Sequence, residues 1–496
     1  MTASPEKKLT RGWSSRAGFL LAAIGGSIGL GNLWRFPYQA GESGGAAFIL
    51  VYIVCIVFVS LPVVSTEIFL GRRGGYGSAV HSIQRLAKDE GAGRWWQSLA
   101  ILGIIASTVI LSFYSVVAGW VVFYAVEAGR SLVTNIQDFG LLGLAEPAFK
   151  GLSPNDVEQS FSKLLSSPLT MIIYHTIFIS IVMFVVGRGI QRGIEVVSKW
   201  LMPSFFVMLI ILSIVSLFQG NASDALSYLF KPDFSALGTG IKDGSLLQAG
   251  LGQAFFSVSL GSAMLITYGA YLSKKVNIQS ASVTIVTADT LVALLAGMAI
   301  FPIVFQFGLE PAGGPGLMFI SLPLAFQQMP FGALFGLAFF LMALFAALTS
   351  GFSLLAVPAA WFEGKTKNPR RRWIAVFMVG GIIFFVGMAN ALSQVPLTQD
   401  TWFNSWIPLK NLQLFEGRLL MDTLDQLTNA VLLPLSGFLT ALFAGWAVSS
   451  SASKEELNFS SEKVYKIWFI LIRYVCPIAI GIIFVYGIFI APYMTD

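Results

Sequence analysis

The run Gly25-Gly26-Ser27-Ile28-Gly29-Leu30-Gly31-Asn32 lies inside a strongly apolar stretch that begins near Ala17. Glycine costs a helix backbone entropy that alanine would not, so four glycines this close together predict an interrupted helix. In hydrocarbon, the break leaves peptide N–H and C=O groups unpaired, at a cost of several kcal/mol each. We therefore expect a bound ion or a polar substrate to satisfy these groups near the bilayer midplane.

The composition is that of an integral membrane protein. The chain is 55% hydrophobic and only 11% charged, and its mean hydropathy is +0.75. The apolar runs lack the alternation of barrel strands, so we expect an all-α integral membrane protein. Runs of the ~20 residues that a spanning helix needs predict about eleven transmembrane helices, near residues 17–38, 46–70, 97–125, 169–187, 200–218, 246–272, 281–308, 331–361, 373–392, 424–449 and 466–492.

The distribution of Lys and Arg predicts the orientation in the cell membrane. With the amino terminus inside, roughly 23 basic residues fall in inner loops and about 7 in outer loops, as the positive-inside rule requires. An odd number of spans then places Asp496 outside. The first apolar run lacks a small-residue cleavage site, so we expect a retained span rather than a signal peptide. The pI of 9.2 follows from this topology and needs no nucleic-acid partner.

Several classes of site are disfavoured by the residue types present. Cys55 and Cys476 lie in separate apolar runs and are expected to be small core residues rather than a disulfide or metal pair. His81 and His175 are far apart, and no His/Cys/Asp/Glu cluster has the spacing of a metal site. The sequence contains no Walker loop and no Ser-His-Asp order. We therefore expect neither an enzyme nor an ATP-driven pump.

A second candidate break lies in the span near 246–272. Its centre, Ser257-Val258-Ser259-Leu260-Gly261, supplies hydroxyls that can hydrogen-bond freed backbone groups. A packing seam of small residues is the alternative. The two breaks fall in the first and sixth predicted spans, which predicts a 5+5 inverted repeat with the site at its interface. The third and eighth spans would then face the site with Ser112–Ser115 and Ala346–Gly351, whose hydroxyls suit a small hard cation.

On these motifs the chain resembles the neurotransmitter:sodium symporter family, in its prokaryotic, leucine transporter-like amino-acid branch. The resemblance covers essentially the whole chain, and its first motif is highly specific. The motifs are Gly29-Leu30-Gly31-Asn32-Leu33-Trp34-Arg35-Phe36-Pro37, Glu42–Phe48, Arg188–Glu195, Phe256–Gly261 and Ala346–Ser350. The expected organisation is a cytoplasmic segment over residues 1–12, a first repeat over 13–218, a second repeat over 219–449, and a cytoplasmic loop with helix 11 over 450–496.

The resemblance implies two sodium ions beside the substrate. The first would be held by the carbonyl of Ser27, the side chain of Asn32, Ser257, Asp289 and the substrate carboxylate. The second would be held by the carbonyls of Gly25, Ile28 and Ala346 and the hydroxyls of Thr349 and Ser350.

Asp289 is an acid in the otherwise uncharged stretch Val283–Ile300. An ionised carboxylate there is costly unless something neutralises it, and a protonated acid with a local hydrogen bond is the alternative to a sodium ligand. Family members that require chloride have a neutral residue at this position, so the resemblance implies no chloride requirement for this chain.

A zwitterionic amino acid suits the predicted site. Its carboxylate can meet the N–H groups of Leu30 and Gly31 at the start of a half-helix, together with the Tyr114 hydroxyl and the sodium ion. Its ammonium would meet the carbonyls of Ser27, Phe256 and Ser257 and the hydroxyl of Ser259. Monoamine carriers of the family have an Asp where this chain has Gly29, which disfavours a biogenic amine.

The resemblance also implies a pocket for the substrate side chain. The implied lining is Ile110, Tyr114, Phe256, Ser259, Ser262, Ser350 and Leu354. This lining is mostly apolar and predicts a neutral, hydrophobic or aromatic side chain. Ser262 replaces a bulky aromatic and would enlarge the pocket, whereas Ala263 replaces a glycine and would shrink another corner, so the size stays open.

The gates are assigned by the same resemblance. Phe256 would cover the substrate, and outside it Arg35 would pair with Asp425, with Asp422 as the alternative. On the inner side, Trp13 and Tyr271 match the family's gate. The inner ion pair is a guess, Arg11 with Glu363, and the buried acid Glu67 would brace the broken helices.

The sequence thus predicts a sodium-driven symporter that imports neutral, hydrophobic or aromatic amino acids by alternating access. Two alternatives stay open. One is a carrier of another carboxylated zwitterion, such as a betaine or a γ-amino acid, and the other is a membrane sensor of the same fold that does not transport. The preferred amino acid, the sodium stoichiometry, proton antiport and the oligomeric state are not predicted.

Overall fold

The computed structural model describes residues 12–231, 233–242, 244–309, 316–364, 369–396, 415 and 418–489. In these residues every regular element is helical. Nine helices are long and apolar enough to cross a membrane, and a bent pair in the first predicted span makes a tenth. The prediction of an all-α membrane protein is confirmed.

The helices follow the predicted order of spans, and several contain one π-helical turn. They are α1 Arg16–Ser27, α2 Gly31–Glu42, α3 Ala46–Gly74, α4 Ala79–Asp89, α5 Ser98–Phe139, α6 Pro154–Leu165, α7 Pro168–Gly187, α8 Ile190–Gln219, α9 Ala222–Phe230, α10 Phe234–Lys242, α11 Ser245–Ser257, α12 Met264–Gly269, α13 Ile278–Gln306, α14 Leu317–Gln328, α15 Gly332–Glu363, α16 Pro369–Ser393, α17 Leu420–Ala447, α18 Ser450–Leu457 and α19 Glu462–Phe489.

The first span is broken where the glycines predict it. The Ser15 side chain caps α1 by accepting a 3.0 Å hydrogen bond from the Gly18 N–H, which satisfies one free donor of the first turn. The helix ends at Ser27 and is followed by Ile28, whose backbone is extended (φ −72°, ψ 119°). The chain resumes as α2 at an angle of 52° to α1.

The sixth predicted span is also broken. Between α11 and α12 the chain passes through three residues with positive φ: Ser259 at 54°, Gly261 at 77° and Ala263 at 58°. Non-glycine residues adopt this left-handed conformation at a cost, so the surrounding structure must hold it in place. Each half is too short to cross a membrane alone, which explains why the described residues give ten spans where the sequence predicts eleven.

Some predicted boundaries are too narrow. The third span was expected over 97–125, yet α5 continues to Phe139, and the fifth was expected from 200, yet α8 begins at Ile190. Hydropathy marks the part of a helix that lies in hydrocarbon, whereas the hydrogen-bonded helix continues into polar surroundings. The expected 466–492 overlaps α19, and residues 490–492 lie outside the described residues.

The packing places the two breaks at the centre of the bundle. α1 packs against α8, α13 and α15, whereas α12 packs against α3, and α5 runs along α15. The helix of the eighth predicted span therefore packs on the broken first span, and that of the third predicted span reaches the break through the Tyr114 hydroxyl, as the repeat argument predicted.

One end of the bundle is fastened by ion pairs to α18. Nε of Arg72, at the end of α3, lies 2.5 Å from Oε1 of Glu456, and both side chains are buried. Arg73 Nη1 lies 2.6 Å from Oε2 of Glu455. This basic end also carries Lys454, and the loop between α17 and α19 is thereby held against α3.

Candidate functional site

The first break exposes backbone groups that side chains then satisfy. The Gly29 N–H donates to Asn32 Oδ1 at 3.1 Å, and the Leu30 N–H donates to the Tyr114 hydroxyl of α5 at 3.3 Å. Because these amides stand at the start of α2, the positive end of its dipole also faces this region. The break therefore forms a place where an anionic group can be held.

A buried polar cluster lies beside the break. Asn32 Nδ2 donates to Asp289 Oδ1 at 2.9 Å and lies 3.0 Å from Ser257 Oγ. The Ser257 hydroxyl donates to Asp289 Oδ2 at 2.5 Å. All three side chains are buried, and they come from α2, α11 and α13. Three of the residues predicted for the first sodium ion are thus in mutual contact.

The charge of this cluster favours a cation. Asp289 is completely buried, and it has no partner in any ion pair of the described residues. An ionised carboxylate in that position needs a positive charge. The described chain contains no group of three His, Cys, Asp or Glu residues that could hold a metal. A cation there would be bound by one carboxylate with carbonyl, hydroxyl and amide oxygens, which are hard ligands.

The residues predicted for a second sodium ion meet where α1 contacts α15. A Cβ added at Gly25 would lie 3.0 Å from Thr349 Oγ1, so the α1 backbone is in contact with this hydroxyl. Thr349 Oγ1 lies 3.1 Å from the carbonyl oxygen of Ala346, one turn earlier. Ser350 is also buried, and Ile28 is the extended residue that follows α1.

A small cavity separates the two breaks. Its lining contains every residue predicted to bind substrate except Leu30, and adds Gly29, Asn32 and Leu433. The lining is Ser27, Gly29, Gly31, Asn32, Ile110, Tyr114, Phe256, Ser257, Ser259, Ser262, Ser350, Leu354 and Leu433. Its volume is about 40 Å³, which leaves room for only a few water molecules at the ~10–15 Å³ of such volume that each one needs. The described conformation is therefore closed around the site.

Two residues of the site were not predicted. Leu433 of α17 lines the cavity, but an apolar residue in an apolar span carries no distinguishing signal. Tyr52 of α3 is buried and its hydroxyl donates to Ser257 Oγ at 3.3 Å. A tyrosine inside an apolar span must find a partner for its hydroxyl, and that requirement could have marked Tyr52.

One side of the cavity, expected to be the outer one, is closed by Phe256. A Cβ added at Gly31 would lie 2.6 Å from Phe256 Cε1, so the ring packs directly on the broken helix. The Arg35 guanidinium carbon lies 4.2 Å from the centre of the ring, a cation–π contact. Arg35 therefore fixes the ring from the outer side.

The expected outer ion pair is not formed in this conformation. Arg35 is close enough to Asp425 for an electrostatic interaction, but no described carboxylate, Asp422 included, lies within 4 Å of it. Asp425 Oδ1 instead accepts a 2.8 Å hydrogen bond from Asn429 Nδ2. The physical reason is the stacking of the guanidinium on Phe256, which the sequence pattern did not indicate.

The side expected to be the inner one is closed by the segment that precedes α1. Trp13 Nε1 donates to the Tyr268 carbonyl at 3.1 Å, and the Trp13 N–H donates to the Tyr271 carbonyl at 3.4 Å. The Ser14 N–H donates to Glu195 Oε2 of α8 at 2.9 Å. Trp13 and Tyr271 are thus brought together as predicted, through backbone contacts that also involve Tyr268.

Only one member of the guessed inner ion pair lies in the described residues. Glu363 Oε2 lies 3.0 Å from Arg372 Nη1, and Arg11 lies outside the described residues. Arg372 stands in the first turn of α16, 9 residues after Glu363, the last residue of α15.

Side chains also satisfy the second break. The Gly261 N–H donates to Glu67 Oε1 of α3 at 2.8 Å, and Glu67 is fully buried. The Ser107 hydroxyl of α5 donates to the Ser262 carbonyl at 2.7 Å. The Ser262 hydroxyl donates to the Ser259 carbonyl at 2.6 Å. Glu67 therefore braces the break, and the hydroxyls expected there bind backbone carbonyls.

Comparisons with known proteins agree with this geometry. The model of the sodium:neurotransmitter symporter family matches residues 10–135 and 153–494. The uncharacterized sodium-dependent transporter YhdH of Bacillus subtilis is 34% identical over 475 residues, 95% of this chain and 96% of its own length. An uncharacterized sodium-dependent transporter of Haemophilus influenzae is 31% identical over 494 residues, 99% of this chain and 100% of its own length.

A solved structure is similar over nearly the whole chain. The crystal structure of MhsT in complex with L-phenylalanine is 38% identical, with a TM-score of 0.81, and the match covers 96% of this chain and 99% of that chain. The predicted fold with its interrupted first and sixth helices is confirmed by this likeness together with the two observed breaks.

The contact between Glu67 and Gly261 leads to a stability prediction. Glu67→Leu removes the acceptor of a buried N–H and should destabilise the fold by about 1–3 kcal/mol. Glu67→Gln keeps a carbonyl oxygen that can accept this hydrogen bond, so it should destabilise the fold far less. The thermal unfolding midpoint of each purified variant in detergent measures the difference. Equal losses in the two variants would show that the Gly261 hydrogen bond is not the reason.

Proposed function

Because the chain belongs to the sodium:neurotransmitter symporter family, we propose that it imports neutral amino acids with hydrophobic or aromatic side chains by alternating access. The protein is a multi-pass, sodium-dependent membrane transporter of a small-molecule substrate and not an enzyme. The observation that carries the finer proposal is the buried contact of Asn32, Ser257 and Asp289 beside the backbone amides at the start of α2. It joins a cation site to an anion site.

The substrate proposal starts from the carboxylate. The amides of Leu30 and Gly31, the Tyr114 hydroxyl and a sodium ion at Asp289 together favour an anionic group. A Cβ added at Gly29 would lie 3.2 Å from both Ser350 Oγ and the Tyr114 hydroxyl oxygen. Position 29 therefore offers no acid that could replace a missing substrate carboxylate, and a side chain there would press on both hydroxyls, so an amine without a carboxylate is disfavoured.

The cavity wall supports a neutral side chain. Apolar groups of Ile110, Phe256, Leu354 and Leu433 form much of the lining, and Tyr114 is its one titratable side chain among the described residues. No charge is present to pair with an acidic or basic substrate side chain. MhsT, 38% identical, has been crystallised with L-phenylalanine, which favours aromatic and large aliphatic amino acids for this chain as well.

Coupling follows from a shared ligand. The substrate carboxylate would complete the shell of the first sodium ion, so each raises the affinity of the other by the same factor. The second ion would lie between Gly25, Ile28, Ala346, Thr349 and Ser350. Two sodium ions with a zwitterion would move net charge, and each charge gains about 2.3 kcal/mol across 100 mV.

The transport cycle would move the two repeats, 13–218 and 219–449, relative to each other. Trp13 and Tyr271 would open towards the cytoplasm, since the positive-inside rule places the amino terminus there. Phe256 and Arg35 would open towards the outside. The closed cavity requires such an opening, because about 40 Å³ cannot admit an amino acid.

Uptake into proteoliposomes tests this function. Each of the twenty amino acids is offered with sodium or potassium outside, and we expect sodium-dependent accumulation of large neutral substrates, phenylalanine among them. If a betaine or a γ-amino acid inhibited the uptake and phenylalanine did not, the result would favour a carrier of another carboxylated zwitterion. Sodium-dependent binding without accumulation would favour a sensor, and either result would contradict the proposal.

The fixed charge of Asp289 predicts independence from chloride. Replacing external chloride with gluconate should leave uptake by the wild type unchanged, because the carboxylate already balances the sodium charge. Asp289→Ser removes that charge, so its residual uptake should depend on chloride. Initial uptake rates in the two anions measure both effects. A collapse of wild-type uptake in gluconate would refute the charge argument.

The proposed role of the Thr349 hydroxyl leads to a prediction about the affinity for sodium. Thr349→Val keeps the shape but removes a proposed ligand, and the sodium concentration for half-maximal uptake should rise about tenfold, which corresponds to about 1.4 kcal/mol. Thr440→Val is the matched control, because Thr440 is also buried and donates within its own helix, to the Ser436 carbonyl at 2.9 Å. A similar rise in both variants would contradict a ligand role for Thr349.

A further inference from the structure

A second, open groove lies on the outside of the bundle between α17 and α19. Its volume is about 690 Å³, and it shares no lining residue with the cavity between the breaks. Apolar side chains line its length, and Arg473, Trp446 and Tyr474 stand at one end. The apolar wall consists of Phe438, Leu442, Ile478, Gly481, Ile482 and Val485. Ile478, Ile482 and Val485 are exposed and both helices are membrane spans, so this surface faces the lipid.

Two glycines give the groove its shape. A Cβ added at Gly445 would lie 2.8 Å from the Arg473 Cα, so α17 and α19 touch at that end. A Cβ added at Gly481 would lie 3.8 Å from Phe438 Cε2, its nearest neighbour. The groove is therefore open at Gly481, and a side chain there would enter it without a clash.

The cation at the end of the groove lacks a counter-ion in the described chain. The Arg473 guanidinium carbon lies 4.2 Å from the centre of the Trp446 ring. Its Nε is buried without a hydrogen-bond partner, and none of the ion pairs of the described residues includes it. A cation in a spanning helix is costly unless an anion pairs with it. The groove therefore presents an unmet positive charge beside an apolar surface.

The depth of Arg473 indicates which anion can reach it. Trp446, whose Nε1 donates to the Arg473 carbonyl at 3.1 Å, is the residue before the end of α17. It stands at the basic end of the bundle, where α18 pairs with Arg72 and Arg73. Tryptophan at a helix end marks the headgroup level, and that is the depth of a lipid phosphate.

We propose that this groove binds one anionic phospholipid of the cytoplasmic leaflet. Its phosphate accepts hydrogen bonds from the Arg473 guanidinium, and one acyl chain lies along the wall past Gly481. The Arg473 cation at the headgroup level is complementary to the charge of a lipid phosphate, and the apolar groove that continues from it is complementary to an acyl chain. The choice of leaflet uses the cytoplasmic amino terminus that the positive-inside rule predicts, but lipid binding does not depend on the transported substrate.

Native mass spectrometry of the purified full chain in mild detergent tests the proposal, with phosphatidylglycerol and phosphatidylcholine titrated separately. The wild type should bind one phosphatidylglycerol about tenfold more tightly than phosphatidylcholine. Arg473→Gln should lose this preference, and Arg473→Lys should keep part of it. Gly481→Leu should weaken the binding of both lipids, because its side chain enters the groove. Lys466→Gln, an exposed cation on the same helix outside the groove, should bind like the wild type.

Two results would overturn the proposal. One is unchanged phosphatidylglycerol preference in Arg473→Gln and unchanged lipid binding in Gly481→Leu. The other is a wild-type dimer that Gly481→Leu dissociates without loss of lipid, which would assign the groove to a second copy. If Arg473→Gln does not fold, Arg473→Lys and Gly481→Leu still separate the outcomes. Because lipid binding is measured without transport, neither result bears on the amino-acid proposal.

Discussion

The structure depends on the cost of unpaired backbone groups in hydrocarbon. Two spans stop being helical at midcourse, and each freed group must find another partner. At the first break the partners are Asn32 and Tyr114, and at the second they are Glu67 and Ser107. These partners come from α2, α3 and α5. The hydrogen bonds to the breaks therefore fix the positions of the helices around them.

The same constraint explains why a charged site can exist in the middle of the bundle. The breaks free carbonyls and amides that are rigidly positioned, and Asp289 adds one negative charge beside them. Phe256 with Arg35 closes the outer side, and Trp13 with Tyr268 and Tyr271 closes the inner side. A site that is packed on both sides in this way is what the proposed alternating-access cycle requires between its two open states.

Much of this could be predicted from the sequence, for physical reasons. The four glycines of the first break are a strong local signal, and the buried charge of Asp289 is conspicuous in an apolar span. The second break was ambiguous, because small residues also form packing seams. Positive φ at Ser259 and Ala263 could not be predicted, since it depends on tertiary contacts. Leu433 and the stacking of Arg35 on Phe256 were missed because neither has a sequence pattern.

The most direct test of the account is a pair of binding measurements on the purified protein. The affinity for labelled phenylalanine is measured against sodium concentration, and the affinity for labelled sodium is measured against phenylalanine concentration. If the substrate carboxylate completes the shell of the first sodium ion as proposed, each ligand should tighten the binding of the other by the same factor. Phenylalanine binding that is equally tight in sodium and in potassium would contradict it.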